Sequence, residues 1–294
     1  MSIQNAILGI IASSAVCIFS LCGSNKLNGK ETCIIQEYQP SAKLLQLLQL
    51  VGMSPPDPSR NALEQINDWA QKHLLRQGER WETQTDKFEF LKPQLIPLLQ
   101  ELGLFDPVHP HFKAYQGAII HGSTLGTARL RLNYLVEQWR EGIGFSHLYF
   151  LTGERPLNPE EKDAIHVVSG KLPETEYEMV QLLWEHSDIP QTLRSQVQVH
   201  FITAPMQRDL QGNPLRPTTQ DTVNAWLKAA PPIGSYLVIS NAPYTPRQHF
   251  VLKTAASHEY SFDTVGPGAS ENEKAAIFLD ELARLIFQIK NSFN

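Results

Sequence analysis

SYLVISNAPYTPRQHFVLKTAA, residues 235–256, changes character twice. Tyr236, Leu237, Val238 and Ile239 form a short apolar run of the kind that fills a strand buried on both faces. Asn241 and Pro243 then break the run, and from Thr245 onward the spacing is helical. Thr245 is placed to cap that helix, with Pro246 at its first position, where a fixed φ and a missing N–H cost nothing. A buried strand passing straight into a helix is half of a βαβ unit.

The same handover recurs along the chain. GAIIHGS (117–123) precedes TARLRLNYLVEQWREG (127–142), and SHLYFLTG (146–153) precedes ETEYEMVQLLWEH (174–186). VQVHFITAP (197–205) leads to TTQDTVNAWLKAA (218–230), and YSFDTVGPG (260–268) leads to the long helical stretch 271–291. Five strand–helix units in succession predict an α/β fold: a three-layer, Rossmann-like parallel sheet with helices on both faces. This domain is expected over 113–294. Trp139, Trp184 and Trp226 fall on predicted helices and read as helix–sheet packing.

Upstream the rhythm is purely helical. SAKLLQLLQLVG (41–52) has Ser41 as a cap and Gly52 as a stop. SRNALEQINDWAQKHLLRQG (59–78) reads as an amphipathic helix starting near Ser59, and KPQLIPLLQELG (92–103) as a third closed by Gly103. Together they predict a helical N-terminal subdomain over 41–112, joined by a polar linker at 25–40. Residues 6–23, AILGIIASSAVCIFSLCG, carry no charge and are apolar or small. Residues 1–24 are therefore expected to be a signal peptide or membrane anchor, which puts the chain in the cell envelope, the bacterial periplasm in particular. No Lys or Arg precedes the segment, and lipidation at Cys22 or burial as a helix of the domain are alternatives. Outside it only Cys33 remains of the three cysteines, so the domain is not stapled by disulfides.

The chain has 294 residues, 42% of them hydrophobic and 19% charged, with a formal net charge of -5. That balance is globular and speaks against a nucleic-acid partner, which a basic excess would favour. GSTLGTA matches neither a dinucleotide fingerprint nor a phosphate-loop lysine motif. His109, His111 and His121 have no carboxylate motif beside them, and no metal site is expected. No cofactor is indicated.

In a parallel sheet all strand-to-helix loops open on one edge, where ligands bind. That edge should carry His121, Gly122, Ser123 and Thr124; Gly153, Glu154 and Arg155; Arg208; and Asn241, Tyr244, Thr245 and Arg247. Arg155, Arg208 and Arg247, hydroxyls and helix N-termini converging there suit an anionic ligand such as a phosphate. Gly122, Ser123, Thr124, Gly153, Arg155, Asn241, Thr245 and Arg247 are the expected ligand-binding residues. Glu154 beside Arg155 reads as its counter-ion. Glu154, Glu178 and Tyr244 are the candidates for acid–base work, and no activated nucleophile stands out.

The order of these motifs resembles the YdcF/SanA-like family of bacterial envelope proteins over residues 117–256. AIIHGSTLGTARLRL carries the glycine at a strand end and an arginine on the next helix, Gly122 and Arg129. LTGERPL and ETEYEMVQLL carry Gly153, Glu176 or Glu178, and Met179. TTQDTVNAW carries Thr219, Thr222 and Asn224, and YTPR places Tyr244 at the family's histidine and Arg247 at its arginine. One glycine of the family's second turn is Glu154 here. The resemblance implies a Rossmann-type sheet in an envelope protein more than it implies a reaction. The expected function is binding or processing of an anionic, phosphate-bearing small molecule or lipid carrier. A non-catalytic envelope scaffold with a degenerate ligand site is the alternative.

Overall fold

The structure is a computed structural model that describes residues 26–27, 30–31, 34–36, 39–76, 86–165 and 172–292. The apolar segment 6–23 lies outside the described residues. Among those described, no helix is long and apolar enough to cross a membrane.

The architecture is the expected α/β sandwich. Five strands, β1 (Ala114–His121), β2 (Gly144–Gly153), β3 (Gln198–Ala204), β4 (Gly234–Ile239) and β5 (Tyr260–Val265), form one sheet in the order β5-β4-β1-β2-β3. Every pairing is parallel. The chain winds outward from β1 to β3, returns to the other side of β1 for β4, and winds outward again. The order therefore reverses between β1 and β4, where an open α/β sheet leaves a crevice for ligand.

Alternate residues of the central strands feed separate cores, as a two-residue period requires. Ala118, Ile120, Leu148, Phe150, Leu237 and Ile239 pack on one face with Leu132 and Leu135 of α4 (Leu125–Arg140) and Met179 and Trp184 of α6 (Glu176–His186), while α5 is the short Pro159–Ala164. Ile119, Tyr149, Leu151, Tyr236 and Val238 pack on the other. There they meet Val223 and Trp226 of α8 (Thr219–Lys228) and Val251 and Leu252 of α9 (Thr245–Ala255); the short α7 (Gln191–Gln196) precedes β3.

The N-terminal helices are α1 (Ala42–Leu50), α2 (Ala62–His73) and α3 (Lys92–Glu101). Ser41 caps α1 through Leu44 N, and Gly52 and Gly103 take positive φ after α1 and α3, as expected. The α2 cap is Asn61 rather than Ser59, because its Oδ1 accepts from Leu63 N and Glu64 N, whereas Ser59 bonds to Asp57. These helices share one core with the last helix, α10 (Ala275–Asn291), and with Phe250 of α9. Thus α10 carries the helical subdomain onto the side of the sheet domain next to the β1/β4 crevice. The expected linker contains two short antiparallel ladders, Lys26–Leu27 with Lys30–Glu31 and Ile35–Gln36 with Gln39–Pro40.

Candidate functional site

A cavity of about 510 Å³ opens at the C-terminal edge of the sheet. From the first loop it is lined by Gly122, Ser123 and Thr124, from the second by Arg155, and from the fourth by Tyr244 and Arg247. Among the described residues six arginines line it, because Arg76 after α2, Arg131 of α4, Arg216 before α8 and Arg284 of α10 join Arg155 and Arg247. No Asp or Glu among the described residues lines it.

Carboxylates hold several of these arginines without lining that cavity. Arg155 donates to Glu161 at 2.7 and 2.8 Å and to Glu176 at 2.5 Å, and its Nη2 reaches the Ser123 carbonyl at 2.9 Å. All three ionic side chains are buried. The counter-ions of Arg155 are therefore Glu161 and Glu176. Glu154, read as its partner, is exposed. Burial opposes the charge of Arg155, but its hydrogen bonds to Glu161 and the field of Glu176 outweigh that and hold it protonated. The two carboxylates diverge. Burial also opposes the charge of Glu161, yet Arg155 and the Asn158 N–H more than compensate and lower its pKa. For Glu176 burial dominates, and its pKa is raised despite Arg155.

Arg247 sits one turn into α9, ion-paired through Nε with the buried Glu281 of α10, while its Nη1 donates to Thr219 Oγ1 at 3.1 Å. Arg76 and Arg284 both meet Asp280 of α10. So α10 holds three of the cavity's arginines from behind. Arg131 is 1% exposed, and its guanidinium donates to Asn241 Oδ1 at 2.9 Å and to the carbonyls of His121 and Gly122 at 2.8 and 3.1 Å. It thereby fixes both sides of the β1/β4 crevice.

The structure brings together Gly122, Ser123, Thr124, Gly153, Arg155, Tyr244 and Arg247, with Gly153 in a smaller adjoining cavity. Other expected residues have different work. Asn241 is the acceptor that holds Arg131, and its amide donates to the Ala242 carbonyl. Thr245 is the first residue of α9, buried, and Tyr244 occupies the cap position with no side-chain cap bond. Tyr244 lies against Arg131, 5.8 Å from ring centroid to guanidinium carbon. Glu178 closes the capping box of α6 with Thr175, so its carboxylate is taken by the backbone N–H groups of Glu174 and Thr175. Arg208 lies in an exposed ladder, Gln207–Arg208 with Pro214–Leu215, and donates to the Gly212 carbonyl away from the cavity. On α4 the arginine that turns inward is Arg131, whereas Arg129 is exposed.

His121 ends β1 and is 2% exposed. Burial, reinforced by the charges of Arg131 and Arg247, pushes its pKa down to about 3, so the imidazole is neutral. The arrangement sets planar guanidinium groups, which can donate paired hydrogen bonds, in a fixed frame beside a neutral imidazole. Comparison with family models, with curated proteins and with solved structures finds no match for this chain.

Proposed function

We propose that this chain binds a phosphate-bearing anion, a small molecule or the head of a lipid carrier, in the cavity at the β1/β4 crevice. The observation that carries this reading is the lining: among the described residues, six arginines and no carboxylate around about 510 Å³, a volume in the usual range for small-molecule sites. Ser123, Thr124, Thr218 and Gln248 add neutral hydrogen-bonding groups to the same wall. Carboxylate partners behind the arginines orient them before ligand arrives, which lowers the ordering cost of binding. The envelope setting is part of the proposal and rests on the apolar segment 6–23. Cell fractionation tests it, with a product found in the cytoplasm and retaining residues 1–23 counting against it.

The scaffold reading draws on a different observation. Arg155 and Arg247 are already ion-paired, and such pairs serve a closed structural network as well as a ligand site. A thermal-shift screen of the full chain separates the two. Inorganic phosphate, nucleotides, sugar phosphates and polyprenyl-phosphate analogues form the panel. A ligand that binds only the native state raises Tm in proportion to the logarithm of its concentration over Kd. A rise that Arg216→Gln abolishes supports the anion site, and a flat response from a cooperatively melting protein supports the scaffold.

A further inference from the structure

Adjoining the arginine cavity is a smaller one of about 120 Å³ that shares Gly122, Arg155, Arg216, Thr218, Thr219 and Gln248 with it. Its own wall is completed by His121 and Gly153 at the strand ends, with Glu176 and Thr222 from the helices. Among the described residues, two polar atoms on this wall have no hydrogen-bond partner, His121 Nε2 and Gln248 Oε1. The residues are 2% and 4% exposed. A buried polar atom left without a partner costs free energy that a bound group recovers by bonding to it.

The chemistry of the pair restricts that group. Gln248 Oε1 accepts only, and a neutral imidazole nitrogen donates or accepts according to its tautomer. A hydroxyl does both in return. Glu176 on the same wall disfavours a second anion there. We propose that the ligand is a phosphate ester carrying a free hydroxyl, as in a sugar phosphate. Its phosphate would lie among the arginines and a hydroxyl in the smaller cavity, bonded to His121 Nε2 and Gln248 Oε1. The assignment rests on the phosphate reading above and names its substrate class.

Calorimetric titration of the full chain with inorganic phosphate, propyl phosphate and glycerol phosphate tests it. The two esters share a three-carbon skeleton and differ in their hydroxyls. Glycerol phosphate is expected to bind at least about tenfold more tightly than propyl phosphate, since a site built to bond a hydroxyl rejects the analogue lacking it. In His121→Asn that gain should shrink while affinity for inorganic phosphate holds, which also reports that the variant is folded; in Gln248→Leu, a residue that lines both cavities, the ratio of the two ester affinities should fall. Equal affinity of the two esters in the parent overturns the hydroxyl subsite, leaves the arginine site standing and assigns the smaller cavity to water. If none of the three binds, the phosphate reading itself fails and the subsite falls with it. The parent comparison decides without either variant.

Discussion

Gly122 lies so close to Glu176 that a Cβ at residue 122 would stand 1.8 Å from Glu176 Oε1. The glycine at the end of β1 is needed for this approach. Its backbone N–H meanwhile pairs with the Leu151 carbonyl at 2.7 Å. Glu176 is buried and held by Arg155, so it cannot step aside without loosening that ion pair. Gly122→Ala is therefore expected to destabilise the fold by about 1–3 kcal/mol, the usual range for overpacking. Gly126, on the first turn of α4, has nothing within 4 Å of a Cβ. Gly126→Ala should be neutral or stabilising by up to about 1 kcal/mol. Urea unfolding of the two variants checks the contrast, and equal behaviour would remove the close-approach argument.

The Arg155 network predicts an asymmetry between neighbouring residues. Arg155→Met strands Glu161 and Glu176, two buried carboxylates, and breaking a buried pair in this way costs about 3–5 kcal/mol. Glu154→Ala, at the adjacent exposed position, should change stability by no more than about 0.5 kcal/mol. Denaturant midpoints of the two proteins measure the difference. A large loss in Glu154→Ala would restore that residue as the counter-ion.

The layer order, the strand–helix units and the edge on which the loops open were legible from apolar runs such as 236–239 and their helical sequels. Gly122, Ser123, Thr124, Arg155 and Arg247 were within reach because a parallel sheet puts its βα loops on one edge. What periodicity could not provide was direction. Arg129 and Arg131 are two residues apart on one helix, and only packing decides that Arg131 turns inward to Asn241. Asp280 and Glu281 lie in an apolar helical stretch far along the chain, and nothing local says that they back Arg76, Arg284 and Arg247. Glu161, from the proline-rich insertion after β2, gave no local sign of reaching Arg155. One signal was available: a carboxylate pair in the middle of an apolar helix, as in α10, asks for cationic partners, because buried charges are rarely left alone.

A buried and a half-buried histidine, His121 and His249, set a pH dependence. His121 is pushed down to about 3 and His249 to about 4, each chiefly by burial. Their ordinary value is 6.5, so between pH 6.5 and about 4 the unfolded chain binds more protons than the folded one at these sites. Their contribution to stability is complete above pH 6.5 and is lost as pH falls. Glu176, raised by burial, acts in the opposite sense above 4.5. The urea midpoint should fall as pH goes from 7 to about 5, and His249→Gln should flatten that slope relative to the parent. An unchanged slope in the variant would show that His249 titrates normally in the folded protein.

The central claim is that the arginine-lined cavity takes a phosphate. Calorimetric titration of inorganic phosphate into the full chain, alongside Arg216→Gln, tests it most directly. Arg216 is half-buried and lines both cavities. The account predicts saturable binding to the parent that weakens with added salt and falls by about tenfold or more in Arg216→Gln, in keeping with about 1.5–3 kcal/mol for a charge-assisted hydrogen bond. A parent protein that unfolds cooperatively yet shows no saturable binding of phosphate would contradict it.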